Sequence, residues 1–175
     1  MPHAASSTQD NSALTFIIIV LAYAAIWILS HPYQGIRHDG ELYLAQALLQ
    51  LNPTVFSRDL FFAYGSQDSF TLFSRAHAWA IDVFGIGNAT VAILLGAQFC
   101  FACFAAILLR RLLTGMHFWL GLALLFSYFP FYGPWVIFSY GESFLTARSV
   151  AEPLCLLALI LLIDGHAKSS LAVIL

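Results

Sequence analysis

Arg37, His38, Asp39 and Glu41 place four ionisable side chains within five positions of a chain that is only 9% charged. A carboxylate held beside a substrate hydroxyl acts as a general base, and a neighbouring Arg or His tunes its pKa. On one continuous helix, at about 100° per residue, Asp39 and Glu41 would point roughly 200° apart. They converge only if Asp39 precedes the helix, which Gly40 permits. Asp39 is then a carboxylate free to face a cleft. The same spacing also fits Asp39 as an N-cap, with Glu41 as a first-turn acid favoured by the helix dipole.

A second constellation is Arg148 and Glu152, four apart on an apolar helix and so within reach of each other. Glu152 lies about 18 Å back from Asp164 at 1.5 Å per residue, inside the hydrocarbon of a bilayer. A charge there costs about 2.5–3.5 kcal/mol on insertion scales, and pairing or a water-filled cavity must offset it. The two side chains read either as contacts for a lipid phosphate or sugar, or as an ion pair tying the helix to the first loop. Pro153 follows directly and kinks such a helix, freeing a carbonyl.

The elements that hold these groups follow from composition. Hydrophobic residues make up 61% of 175, and mean hydropathy is +0.83. A soluble domain is about half apolar and about a quarter charged. That excludes a water-soluble, disordered, collagen-like or disulfide-rich secreted chain. What remains is an all-α fold, a multi-pass transmembrane bundle. A net charge of −2 points to no nucleic-acid partner. Apolar runs predict spans at 13–30, 89–109, 118–130 with a kinked continuation, and 149–163. Residues 171–175 begin a fifth run too short to cross, which reads as the N-terminal piece of a longer protein or a truncated one. The first run lacks a basic start and a good cleavage site, so it reads as a retained anchor.

Arg110, Arg111 and Lys168 follow the second and fourth spans and share a side by parity. They put loops 110–117 and 164–170, and tail 1–12, in the cytoplasm. Residues 31–88 and an aromatic stretch at 131–148 then lie outside. The latter, with the end of the third span, carries Phe126, Tyr128, Phe129, Phe131, Tyr132, Trp135, Phe138 and Tyr140, and Tyr and Trp favour the headgroup level. Arg37, Arg58, Arg75 and Arg148 oppose this orientation, but the long translocated loop that holds the first three weighs less.

Within the first outer loop, residues 41–51 place Leu44, Leu48 and Leu51 at helical spacing, with Gln46 and Gln50 on another face. Residues 68–84 align Phe70, Phe73, His77, Ile81 and Phe84, with Asp68 or Ser69 as cap. Both read as amphipathic helices at the membrane surface or packed on the bundle. Cys100 and Cys103 read as packing residues. Ala92, Gly96 and Cys100 read as a helix-contact stripe, with Gln98 hydrogen-bonding across helices. His77 reads as a satisfied packing histidine, and Asn88 as the N-cap of the second span.

A first span, a short connector with the acidic pair Asp39-x-Glu41, a long outer loop with surface helices, and further spans together resemble the GT-C superfamily of membrane glycosyltransferases. The polar start of residues 143–163 is also similar to a later helix of that superfamily. The resemblance implies a sugar transferred from a polyprenyl-phosphate donor to an acceptor at the non-cytoplasmic face. Asp39 would be the catalytic base, and Glu41 would fill the second acidic slot. Arg37 and His38 would tune the base. Arg148 and then Arg37 would meet the phosphate, and Glu152 would contact substrate. Members usually have many more spans, so the missing C-terminal spans would carry much of the site, and this segment alone would be inactive. Some members use a divalent metal and others none; His38, Asp39 and Glu41 are too close in sequence to specify a metal site, and no cofactor is indicated. The competing reading is a non-catalytic integral membrane protein, a transporter segment or an accessory subunit.

Overall fold

The computed structural model describes residues 4–56, 58–66, 70–127, 131, 132 and 138–174. It is all-helical apart from one minimal hairpin. Helix α1 (Ala4–Ser30) ends where Pro32 cannot continue it. Helix α2 (Asp39–Leu51) stops before Pro53, which starts the short α3 (Pro53–Phe56). Helix α4 (Leu60–Ala63) is capped by Asp59, whose carboxylate accepts from the Phe61 N–H at 2.8 Å. Helices α5 (Phe73–Phe84) and α6 (Ile86–Leu112) are separated by Gly85 alone, at φ +77°. Helix α7 (Gly115–Ser127) leads to strands β1 (Phe131–Tyr132) and β2 (Phe138–Ser139), paired antiparallel with Phe131 opposite Ser139. Helix α8 (Ala147–Ile163) and α9 (Ala167–Ile174) close the chain.

Helix α6 is the axis, packed against α1, α5, α7 and α8. Helix α1 runs antiparallel to it: the Phe16 ring lies 6.0 Å from the Arg110 guanidinium, and the Trp27 ring 5.1 Å from Phe101. Helix α8 runs parallel to it, since Arg111 and Asp164 meet at their C-terminal ends. One core joins Val20, Tyr23, Ala24 and Trp27 of α1 to Phe101, Ala102 and Ala106 of α6 and Phe118 and Leu122 of α7. A second joins Ala47 of α2 to Ala78, Ala80 and Ile81 of α5 and Ala89 of α6. Among the described residues, Ile86–Leu112 is the one helix long and apolar enough by itself to cross a membrane; Leu14–Ser30 and Gly115–Leu125 are shorter apolar stretches.

Several local expectations change. Residues 4–12, expected as tail, are the first turns of α1, and α9 begins at Ala167, inside the expected loop 164–170. Helix α6, expected to begin at 89, begins after Gly85, so Asn88 lies within it rather than capping it. The stripe Ala92, Gly96, Cys100 is not the contact face: Ala92 and Gly96 are exposed and Cys100 is partly exposed. Ala97, Gln98, Phe101, Ala102, Ala105 and Ala106 make that face instead, because alanines next to one large ring pack as closely as the glycine stripe while filling the space. In α2 the most buried side chains are Gln46 and Ala47, while Leu44, Leu48 and Leu51 flank them half-buried. Asp68, Ser69, Tyr128, Phe129 and Trp135 lie outside the described residues.

Candidate functional site

The site forms where four segments converge at one end of the bundle: the connector after α1, the start of α2, the segment before α8, and the first turn of α8. Two glycines permit this closeness. A Cβ on Gly40 would sit 3.1 Å from the Leu145 carbonyl oxygen, so a bare backbone lets α2 start against the segment before α8. Gly141 has φ +64°, and a Cβ there would meet the Trp27 ring at 2.6 Å. The Gln34 N–H donates to the Ser143 carbonyl at 2.8 Å. Gln98, from mid-α6, donates its amide to the carbonyls of His31 (3.1 Å) and Glu142 (3.0 Å). It thus ties backbone segments of the site end to α6, a role beyond the helix-to-helix bond expected of it.

Helix α8 starts with a capping box. The Thr146 hydroxyl accepts from the Ser149 N–H at 3.2 Å, and the Ser149 hydroxyl accepts from the Thr146 N–H at 3.1 Å. Two residues into this helix, Arg148 turns its guanidinium onto two carboxylates. Its Nη2 lies 3.0 Å from Asp39 Oδ2 and 2.8 Å from Glu142 Oε1, and its Nε lies 3.2 Å from Glu142 Oε1. The Glu142 side chain is 3% exposed and also accepts a hydrogen bond from the Thr146 hydroxyl. Asp39 is the outer member, 46% exposed at its side chain.

Asp39 and Arg148 share the wall of a cavity of about 720 Å³ with Leu42, Tyr43, Gln46, Phe61, Tyr64 and Phe70. Burial raises the Tyr43 phenol above its ordinary value. A smaller, mainly apolar cavity of about 280 Å³ lies along α8, bounded by Phe101, Tyr140, Ala151, Glu152, Cys155 and Leu156. Arg148 borders both.

The chain resembles nothing detected by comparison: no family model, no curated protein and no solved structure matches it.

The sequence-predicted residues divide. Asp39 and Arg148, 109 positions apart, are brought together. Asp39 is neither N-cap nor free of the helix: His38 takes the cap position at φ 48°, without a capping side-chain bond, and Asp39 is the first helical residue. That left-handed backbone at a non-glycine residue aims the start of α2 at Arg148. His38 stands beside Phe144, with ring centroids 5.6 Å apart. Glu41 is exposed and takes no part in the cluster, as the 200° offset requires once Asp39 is helical. Arg37 is exposed and donates to Gln34 Oε1 at 2.8 Å. The expected Arg148–Glu152 pair is replaced by the bonds to Asp39 and Glu142. Glu152 accepts instead from the Gly141 N–H at 3.4 Å, and its Oε1 is buried without a partner.

Glu142 and Thr146 escaped sequence reading, and Gln98 was expected as a bond between helices and not as a tie to this site. A signal for Glu142 existed: it is the one acid between Asp82 and Glu152, in an aromatic stretch. Among the described residues, no group of three or more His, Cys, Asp or Glu is placed to hold a metal ion. Chemically, the site presents one carboxylate at a cavity wall, one guanidinium behind it, and one buried carboxylate that holds the guanidinium in place.

Proposed function

We propose that the chain is the N-terminal part of a GT-C-like membrane glycosyltransferase, with Asp39 as general base and a polyprenyl-phosphate sugar as donor. One observation carries the reading: Asp39 faces a cavity together with Arg148, a residue far away in sequence at the start of an apolar helix. In the reaction, Asp39 takes the proton of the acceptor hydroxyl. The acceptor oxygen bonds to the anomeric carbon, and the bond from that carbon to the phosphate oxygen breaks. Arg148 neutralises the departing lipid phosphate. Arg148 starts paired with Asp39, so donor binding draws the guanidinium towards phosphate and frees the Asp39 carboxylate to meet the acceptor hydroxyl.

The setting is a multi-pass bundle in which α1, α6, α7 and α8 cross the bilayer. Its support is the outward display of Leu14, Ile18, Leu21 and Leu29 on α1, Trp119, Leu120 and Leu124 on α7, and Leu154, Leu159 and Leu162 on α8. Arg110, Arg111 and Lys168 mark the cytoplasmic end, and the Asp39 cavity opens on the other side, where lipid-borne donors are met. The buried hold of Glu142 on Arg148 favours a second reading, a structural clasp between α2 and α8 in a non-catalytic membrane protein.

Substitution Asp39→Asn separates the two. Assayed in membranes that hold the full-length protein, with a polyprenyl-phosphate sugar donor, loss of a general base lowers transfer by about 10²- to 10⁴-fold. Full transfer by this variant of the full-length protein rejects the catalytic role, and absence of transfer by the unaltered full-length protein rejects the enzyme reading.

A further inference from the structure

Near the C-terminal end of α6, the Arg110 guanidinium stands over two rings, 6.0 Å from the centroid of Phe16 on α1 and 5.8 Å from that of Phe118 on α7. Arg110 is exposed, and no carboxylate among the described side chains lies within ion-pair distance of it. Its neighbour Arg111 is engaged by Asp164, and Lys168 follows at the start of α9. Among the side chains described there, that end sets three fixed cations against one acid. Beyond the Phe16–Phe118 contact lies an almost wholly apolar groove of about 430 Å³ between α1 and α7. Ile19, Ala22 and Ile26 continue the side of α1 that Phe16 begins, and Trp119 and Leu122 form the other wall. From Ile19 to Ile26 the groove follows α1 for about 10 Å at 1.5 Å per residue. Ile26 and Trp119 are more than half exposed, so it opens sideways.

Each feature narrows the occupant. An apolar helix, from a second copy or another protein, would fill the groove and leave Arg110 without an anion. A small soluble anion would meet Arg110 and leave the groove bare. A zwitterionic lipid brings its own ammonium to an end already rich in cations. A lipid with a net negative headgroup answers every feature. Its phosphate oxygens accept from the planar N–H fork of a guanidinium, and its acyl chain lies in the groove. Basic sites between helices at a membrane edge hold such headgroups.

We infer that Arg110 and the groove between α1 and α7 form a binding site for one anionic phospholipid, with the headgroup phosphate on Arg110 and an acyl chain against Ile19, Ile26 and Trp119. The inference rests on the membrane setting proposed above and not on sugar transfer, because Asp39 and Arg148 lie at the other end of the bundle. The bound lipid joins α1, α6 and α7 at the level where the cationic end meets hydrocarbon.

The test places the whole chain in phosphatidylcholine nanodiscs and follows tryptophan fluorescence as lipid with brominated acyl chains is added, either phosphatidylglycerol or phosphatidylcholine. Bromine quenches an indole only at close range, and the part of the quenching that Trp119→Phe removes belongs to the groove. Brominated phosphatidylglycerol should reach half-maximal quenching of that part at about one-fifth of the mole fraction that brominated phosphatidylcholine needs, and the gap should narrow at high salt. Arg110→Gln should bring the two lipids level and leave quenching by phosphatidylcholine as it was. If the two lipids quench the unaltered protein alike, the inference fails without any variant having to fold. If neither reaches Trp119, the groove is covered by protein, a second copy included, and the inference fails again. A preference that persists in Arg110→Gln overturns it too. A chain that does not enter nanodiscs sinks the membrane setting and this site with it, whereas equal quenching by both lipids sinks the site alone. Loss of transfer in Asp39→Asn should leave the lipid preference intact.

Discussion

The two ends of the bundle each carry an ion pair of similar length and opposite character. At one end Arg111 grips Asp164 through two bonds, Nε to Oδ1 at 2.9 Å and Nη2 to Oδ2 at 3.0 Å. At the other, Arg148 meets Glu142 at 2.8 Å and Asp39 at 3.0 Å. By geometry alone the first pair is the better formed, a two-pronged match of guanidinium to carboxylate. Environment reverses the ranking. The Arg111 and Asp164 side chains are 44% and 31% exposed, so water and salt screen them in either state. Glu142 is 3% exposed, and its charge has been taken out of water on the strength of its partners. Bond length therefore says little about which pair the fold depends on, and burial says most of it.

Arg148→Met tests this most severely. It leaves Glu142 ionised and without its cation inside the protein, and removing one partner of a buried pair costs about 3–5 kcal/mol. Thermal unfolding in nanodiscs should show a large drop in midpoint, and the double variant Arg148→Met with Glu142→Gln should recover much of it. A single variant as stable as the unaltered chain would mean that Glu142 is solvated or protonated, and the contrast between the ends would dissolve.

The same contrast explains what the sequence disclosed. Apolar runs gave the helices, because a long run with few charges has few other ways to satisfy its backbone. Asp39 and Arg148 were legible one at a time, as charges rare in such a chain. Their union came only from the resemblance and from the thought of an ion pair to the first loop, since the contact itself depends on two glycines, Gly40 and Gly141, allowing backbone approaches that no local pattern encodes. Glu152 was assigned to Arg148 by helical spacing; Glu142 won because it precedes the helix and folds back through the Thr146 cap, a loop geometry that periodicity does not describe. Gln46 looked like a polar-face residue by the alternation in α2. It is buried because α5 packs on that side, bringing polar Ser74 and His77 into the same interior layer.

His77 sharpens the comparison through pH. It lies in the layer between α5 and α6 near the site end, with Nε2 3.3 Å from the Thr90 hydroxyl and Nδ1 without a partner, so it is only half satisfied. Burial pulls its pKa down to about 4. The imidazole is neutral in the native state, while in the unfolded chain it takes a proton near pH 6.5. Between those values the unfolded state binds more protons, so stability falls as pH drops from about 6.5 towards 4 and levels off below. Unfolding midpoints measured from pH 7.5 to 4.5 should fall in the unaltered chain and fall much less in His77→Gln. Equal slopes would show that the imidazole is hydrated and titrates normally.

The exposed pair should respond least. Its hydrogen bond and charge attraction to Arg111 hold the Asp164 carboxyl below the ordinary range. A carboxylate with a lowered native pKa adds stability above its unfolded value of about 3.9 and loses it as pH falls through the native one. Nothing in this pair therefore changes between pH 7.5 and 4.5, the window in which His77 acts. Arg111→Gln should lower the unfolding midpoint at pH 7 only slightly at low salt and less at high salt, and raise the Asp164 titration, followed by carboxyl NMR, to the ordinary range. A midpoint that drops as far as in Arg148→Met would place Asp164 in a medium drier than its exposure implies. The Arg110, Arg111 and Lys168 end would then be packed against something that shields it from water.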